Sequence, residues 1–170
     1  KGVGSNLELA TSDFASNSAG TAFRAQSFPT MVVVGKSGKV EAINIGALAD
    51  LESRMRSQLD ALIAGKPIPD VTTVAQKAAP SDPQAPPSPA PQPQPPRVDP
   101  GSLVGKPAPA LALSTLDGKS LANADFEKVP ATVLNFFAPN CGFCKKAMPM
   151  VEKIRAEYAA KGVRFVNVAQ

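Results

Sequence analysis

Cys141 and Cys144 are the residues with chemistry to offer: they are the only cysteines in 170 residues, spaced two apart, at the end of the apolar run Val133-Leu-Asn-Phe-Phe-Ala-Pro-Asn. A thiol is nucleophilic as its thiolate, and a helix N-terminus stabilises that anion through unsatisfied backbone N–H groups and the helix dipole. The apolar spacing beyond the pair is helical and puts Cys141 at such a terminus, with Lys145 and Lys146 adding positive charge nearby. Cys144, one turn on, is within reach of a mixed disulfide formed at Cys141 and would release the partner reduced. The chemistry this placement could do is thiol–disulfide exchange, with Cys141 attacking and Cys144 resolving.

Other uses of the spacing fit less well. A zinc site takes four ligands, and with no further cysteine and no histidine only carboxylates or a second chain would complete it, so no metal is expected. Covalent haem attachment needs a histidine after the second cysteine, where this chain has Lys145. Thiol peroxidase chemistry would need a Thr/Ser-x-x-Cys pattern, which is missing. A purely structural disulfide is the serious competitor, because exported domains carry them. A bridge closing so short a loop constrains little of the unfolded chain, however, and would stabilise little. A coincidental buried pair fits poorly with a strand-to-helix junction. No cofactor is expected beyond a redox-active Cys141–Cys144 disulfide.

Elements must deliver the pair. Thr132 to Ala138 is the most apolar run and lacks alternation, the pattern of a strand buried on both faces in the middle of a sheet. Cys144, Ala147, Met148, Val151, Ile154 and Tyr158 then share a helical face that Lys161-Gly162 ends, and Val163 to Val168 alternates as a strand. Strand, helix and strand with a short return form a parallel crossover, so the fold class is α/β with a central mixed sheet flanked by helices.

Upstream, residues 1–27 are weakly patterned, with a short or broken helix expected near Phe23. Met31-Val-Val-Val34 reads as a buried strand, Gly35-Lys-Ser-Gly38 as a turn, and Lys39 to Ile45 as its half-buried hairpin partner. Leu48, Leu51, Met55, Leu59 and Leu62 recur at helical spacing before Gly65 and Pro67, predicting an amphipathic helix over 48–64 that covers a sheet face rather than forming a coiled-coil seam. Residues 69–102 are rich in Ala, Pro, Gln and Ser, a linker composition favouring extended polyproline II at about 3.1 Å per residue. A Pro-x-x-Pro segment there is weak support for an SH3-type ligand. Val104-Gly-Lys-Pro-Ala-Pro109 restarts the structure, and Leu111 to Leu121 reads as two short strands around an Asp-Gly turn.

Composition restricts the rest. Aromatics make up 5% against 44% hydrophobic residues, so the core is aliphatic. The net charge of +4 is spread without a basic block or aromatic interleaving, against nucleic-acid binding. No apolar run approaches the roughly 20 residues of a membrane span, so no membrane insertion is expected in this segment.

Residues 103–170 resemble the N-terminal half of a thioredoxin-fold domain of the TlpA-like, redoxin group. The resemblance is carried by Val104-Gly-Lys-Pro-Ala-Pro109, Leu116-Asp-Gly-Lys119, Val133-Leu-Asn-Phe-Phe-Ala138, Cys141-Gly-Phe-Cys144 and Pro149. It implies that Cys141 attacks and Cys144 resolves, and that Pro149 kinks the helix they begin. Asn135 stands where thioredoxin has a buried Asp, and Asn140 where thioredoxin has a Trp. The amide of Asn135 cannot accept a proton, so it offers no base for Cys144. Residues 1–68 resemble the C-terminal half of the same fold, with Phe28-Pro29-Thr30 matching the loop whose cis-proline lies against the cysteine pair. The implied order is a C-terminal half at 1–68, a Pro-rich linker at 69–102 and an N-terminal half at 103–170. Two histories fit: a piece of a longer tandem protein, favoured by the start at Lys1 and the stop at Gln170, or a circular permutation. In either case the halves are expected to meet in one composite domain with Pro29 facing Cys141 and Cys144.

The resemblance further implies a thiol-disulfide oxidoreductase of an extracytoplasmic, bacterial periplasmic redox system. Its partners would be protein thiols and disulfides and an upstream electron donor. Cys141 and Cys144 would carry the reaction. Phe28, Pro29, Thr30, Gly142 and Phe143 would form the partner-binding surface, with Asn135 and Pro149 supporting it from behind. The rival reading is a non-enzymatic interaction module of the same fold whose cysteine pair stays oxidised.

Overall fold

The computed structural model describes residues 7–11, 18–46, 50–68, 100–115, 118 and 120–170. Seven strands form one sheet in the order β3-β2-β6-β7-β1-β4-β5. The first segment supplies β1 (Leu7–Thr11), α1 (Ser18–Ala22), β2 (Thr30–Gly35), β3 (Val40–Ile45) and α2 (Leu51–Ile63). The second supplies β4 (Ala112–Thr115), β5 (Ser120–Ala122), β6 (Ala131–Phe137), α3 (Gly142–Ala159) and β7 (Arg164–Ala169), with 3-10 turns at Pro100–Leu103 and Asn123–Lys128. Most of the expected linker, and Leu48 at the expected start of α2, lie outside the described residues.

Strand β6 has the position its unbroken apolar pattern predicts. It pairs antiparallel with β2, placing Met31 opposite Asn135 and Thr30 opposite Phe136, and parallel with β7, placing Asn135 opposite Asn167. Alternate residues of β6 feed two apolar layers. Ala131 and Val133 join Met31, Val33, Leu51, Met55, Leu59, Val151, Ile154, Tyr158 and Phe165 under α2 and α3. Leu134 and Phe136 join Phe23, Val32, Val34, Ile43, Leu113, Phe126, Val166 and Val168 on the opposite face. Both layers mix residues from both segments, and burial of this apolar surface, at about 25 cal/mol per Å², is what holds the segments together.

The hairpin β2–β3 turns at Gly38, whose φ of 71° is the left-handed conformation glycine adopts without a Cβ clash. Helix α2 buries Leu51, Met55 and Leu59 as the spacing predicts, and Gly65 N–H and Lys66 N–H cap its last carbonyls. It also buries Gln58, whose amide exchanges hydrogen bonds of 2.9 and 3.4 Å with Asn44 on β3. Helix α3 buries Cys144, Ala147, Val151, Ile154 and Tyr158 and continues through Pro149 to Ala159. It ends where Val163 N–H reaches back to the Tyr158 carbonyl at 3.1 Å around Gly162, φ 85°.

Strand β1 is a finding that the weak pattern of residues 1–27 did not announce. It lies between β7, to which it is parallel over Leu7 to Thr11, and β4, to which it is antiparallel. The pairing edge of β7 supplies the order that local composition does not. The short helix expected near Phe23 is α1, and Phe23 itself stacks on Phe136 of β6 with ring centroids 5.6 Å apart.

Candidate active site

Strand β6 ends at Phe137, and the turn Ala138-Pro-Asn140 closes through a 3.0 Å hydrogen bond from Cys141 N–H to the Ala138 carbonyl. This sets Cys141 in extended conformation as the N-cap of α3, where its sulfur accepts from Cys144 N–H at 3.1 Å. That N–H is among those a helix start leaves without an internal partner, so it is free to hold a sulfur anion. Cys141 and Cys144 form a disulfide, with their α-carbons 5.2 Å apart. Cys141 is half-buried and Cys144 is buried, the asymmetry that an attacking and a resolving thiol require.

The first segment reaches the same place from the other side. The Phe28–Pro29 bond is cis, and the Phe28 carbonyl lies 3.6 Å from the Cys141 sulfur, although 113 residues separate the two in the chain. Pro29 is buried and its carbonyl accepts from Gly46 N–H at 2.8 Å, while Thr30, also buried, donates its hydroxyl to the Ser27 carbonyl at 2.5 Å. Phe28, Pro29 and Thr30 therefore form a fixed corner beside the disulfide, because β2 pairs with β6 right up to the turn that bears the cysteines. Gly142 and Phe143, the two residues between the cysteines, are exposed, and the Phe143 ring is 54% accessible. Lys146 Nζ stands 5.9 Å from the centre of that ring.

Asn135 is two residues before the end of β6 and only 2% exposed. Its amide nitrogen donates to Asn167 Oδ1 at 2.8 Å and lies 3.7 Å from Met148 Sδ, one turn of α3 beyond Cys144. Its Oδ1 is buried without a hydrogen-bond partner. Sequence reasoning placed Asn135 behind the cysteines but not its partners Asn167 and Met148. The one available signal was the shared direction of Asn135 and Asn167 on parallel neighbours. Pro149 is exposed on α3 and, lacking an N–H, leaves the Lys145 carbonyl without its helical donor.

Shifted ionisations occur at Asp125 of the 3-10 turn, whose carboxyl is held below its ordinary value by Lys128 and then by the Ala122 N–H, and along the α2–α3 seam. Lys153 and then Arg56 hold the Glu52 carboxyl below its ordinary value, and Glu157 and then Glu52 hold the Arg56 guanidinium above its own. Burial, followed by the nearby Asp60 carboxylate, pushes Tyr158 up to about 12. No group of three or more His, Cys, Asp or Glu side chains suited to a metal ion occurs among the described residues. Among the described residues no helix is long and apolar enough to cross a membrane.

Residues 103–170 match the Redoxin family. Over 63 residues the chain is 35% identical to the thiol-disulfide oxidoreductase ResA of Bacillus thuringiensis, covering 37% of this chain and 36% of that protein. The ResA of Bacillus cereus gives the same identity and coverage. Over another 63-residue match, it is 44% identical to the thioredoxin-like protein YneN of Bacillus subtilis, covering 36% of this chain and 35% of that protein. The chain therefore spans about a third of the length of these curated relatives. No solved structure gives a significant match. Both cysteines lie within the span, residues 103–170, that is similar to the redoxin family, and the mixed sheet flanked by helices is a thioredoxin-like α/β fold.

Proposed function

We propose that the protein is a thiol-disulfide oxidoreductase acting on protein thiols and disulfides through Cys141 and Cys144. The observation that carries this reading is the asymmetry of the pair: a half-exposed Cys141 whose sulfur accepts the Cys144 N–H, and a buried Cys144 one turn behind. Starting from the dithiol, the Cys141 thiolate attacks one sulfur of a partner disulfide, and the other partner sulfur leaves with the electron pair. Cys144, deprotonated in turn, attacks Cys141 Sγ, forms the intramolecular disulfide and releases the second partner sulfur as thiolate. Two protons lost by the dithiol balance the two thiols released. The partner is reduced by two electrons, and an upstream donor restores the dithiol.

Phe28, Pro29 and Thr30 form one wall of the partner surface and Gly142 and Phe143 the other. Asn135 and Pro149 support the pair from behind, and neither carries a proton acceptor that titrates. Burial of Asn135 next to Met148 leaves Cys144 without a carboxylate base on that side, so its proton goes to solvent or to the departing partner thiolate. The reading places the protein in an extracytoplasmic, periplasmic setting, where protein disulfides form and persist.

The test is a Cys144→Ser variant incubated with a disulfide-bonded protein substrate, followed by alkylation of free thiols and non-reducing mass analysis. A mixed disulfide at Cys141 that the wild-type protein resolves is the expected result. No adduct at Cys141, with the wild-type pair remaining oxidised under a thiol reductant, would establish instead a non-enzymatic module with a permanent disulfide.

A further inference from the structure

Among the described residues only two large hydrophobic side chains are exposed, Ile63 at 37% and Phe143 at 54%, and Phe143 lies between the two cysteines. An aromatic ring left in water at a reacting centre has no reason of stability to be there. The charges beside it have one sign. Lys145 and Lys146 follow the pair directly, both are exposed, and neither forms an ion pair among the described residues. The first carboxylate along α3 is Glu152, two turns further on and held by Arg155 at 2.8 Å. The first turn of α3 contains no acidic residue, so its N–H groups add to the positive field rather than being neutralised. The loops facing it, Phe28-Pro-Thr30 and Ala138-Pro-Asn140, carry no charge at all.

We infer that Phe143, Lys145 and Lys146 select partners whose reactive cysteine is flanked by carboxylates, with an apolar residue to cover the Phe143 ring. This inference rests on the disulfide exchange proposed above and names the class of partner that exchange takes. Complementary charge around a docking site raises the rate of encounter and suppresses partners of the wrong sign more than it strengthens the final complex. Phe143 supplies apolar contact that any cysteine-bearing segment would use. The lysines supply the discrimination.

The experiment uses the whole chain in reduced form and three short peptides with one central cysteine flanked by aspartates, asparagines or lysines, each presented as its disulfide with 4-thiopyridine. Cys141 thiolate attacks the peptide sulfur and 4-thiopyridine leaves, to be read by absorbance. Cys144 then attacks Cys141 Sγ and releases the peptide thiol, so the protein dithiol loses two electrons and the peptide disulfide gains them. The ratio of rates among peptides is the readout, because a lysine's effect on the reactivity of Cys141 itself cancels in it. At low salt the aspartate peptide is expected to react about tenfold faster than the lysine peptide, two lysines each contributing a factor of a few across several ångströms of water. The ratio should collapse toward unity at 1 M salt, where the screening length is about 3 Å. Lys145→Glu with Lys146→Glu should invert it, and Phe143→Ala should slow all three peptides while leaving it in place. Equal rates for the three peptides with the wild-type protein overturn the inference and leave disulfide exchange standing. Failure of every peptide to react at Cys141 overturns both.

Discussion

Met55→Ala tests whether the two segments of the chain are one folding unit, on which the site geometry depends. Met55 sits in α2 with none of its surface exposed, in the layer formed by Val133 of β6, Val151, Ile154 and Tyr158 of α3, and Phe165 of β7. Truncation removes the thioether from a packed layer and leaves a cavity, a change that costs about 2 to 5 kcal/mol in well-packed cores. A domain of this size has a total stability of about 5 to 15 kcal/mol, so the loss is large but survivable. If both segments open together, amides in β6 and β7, which have no sequence neighbour near Met55, must exchange faster by the same free energy as amides in α2. At the lower figure of about 2 kcal/mol the acceleration is roughly 30-fold. Native-state hydrogen exchange read by mass spectrometry, with Ile154→Ala as the reciprocal change from α3, measures it on both sides. The reasoning is refuted if Met55→Ala speeds exchange in α2, β2 and β3 while β6, β7 and α3 keep wild-type rates. The segments would then be separate units and the Phe28 corner would not be fixed beside Cys141.

Two further expectations concern buried polar groups. Tyr158 has its folded-state pKa raised from 10.0 to about 12, so the neutral phenol is the favoured form, and its contribution is fully present below pH 10 and lost as pH rises toward 12. Urea denaturation across that window should show an alkaline loss of up to roughly 2 kcal/mol that Tyr158→Phe abolishes; an identical profile in the variant refutes it. Asn135→Asp places a carboxyl in a dry site, where burial raises its pKa, so the destabilisation relative to wild type should be larger at pH 7 than at pH 4, by about 1.4 kcal/mol for each unit of the shift. Equal destabilisation at both pH values would show that water reaches Asn135.

Legibility in the sequence followed how local each cause is. Strand β6 and helix α3 were readable because an apolar run and a helical face are each written in consecutive residues, and the same holds for the β2–β3 hairpin. Strand β1 was not, since Leu7 to Thr11 is ordered by the parallel edge of β7 rather than by its own pattern. Gln58 shares the apolar face of α2 by spacing, three residues after Met55, but its amide gives no local sign of the partner that lets it be buried there: Asn44, on another element, matches both its donor and its acceptor. Of the site, the cysteines and their attachment to a helix start follow from spacing. The corner at Phe28, Pro29 and Thr30 has no chemical signature of its own and was found only through a family resemblance.

That difference in origin divides the work within the proposed reaction. The groups placed to stabilise a thiolate at Cys141 and to let Cys144 reach it belong to the start of α3: the Cys144 N–H on the sulfur, the open helix start and the spacing of the pair. The wall proposed to present a partner to the sulfur from the opposite side belongs to the first segment, with the Phe28 carbonyl at 3.6 Å and the buried Pro29. A change that loosens β2 from β6 therefore acts on the two properties unequally. Small disulfides, which need only the sulfur, keep reacting with Cys141, whereas extended protein segments, which need both walls, lose their register against it. In the proposed reaction the register of an extended partner thus depends on tertiary packing between residues more than a hundred positions apart, whereas the nucleophilicity of Cys141 and the charge discrimination by Lys145 and Lys146 belong to α3 alone.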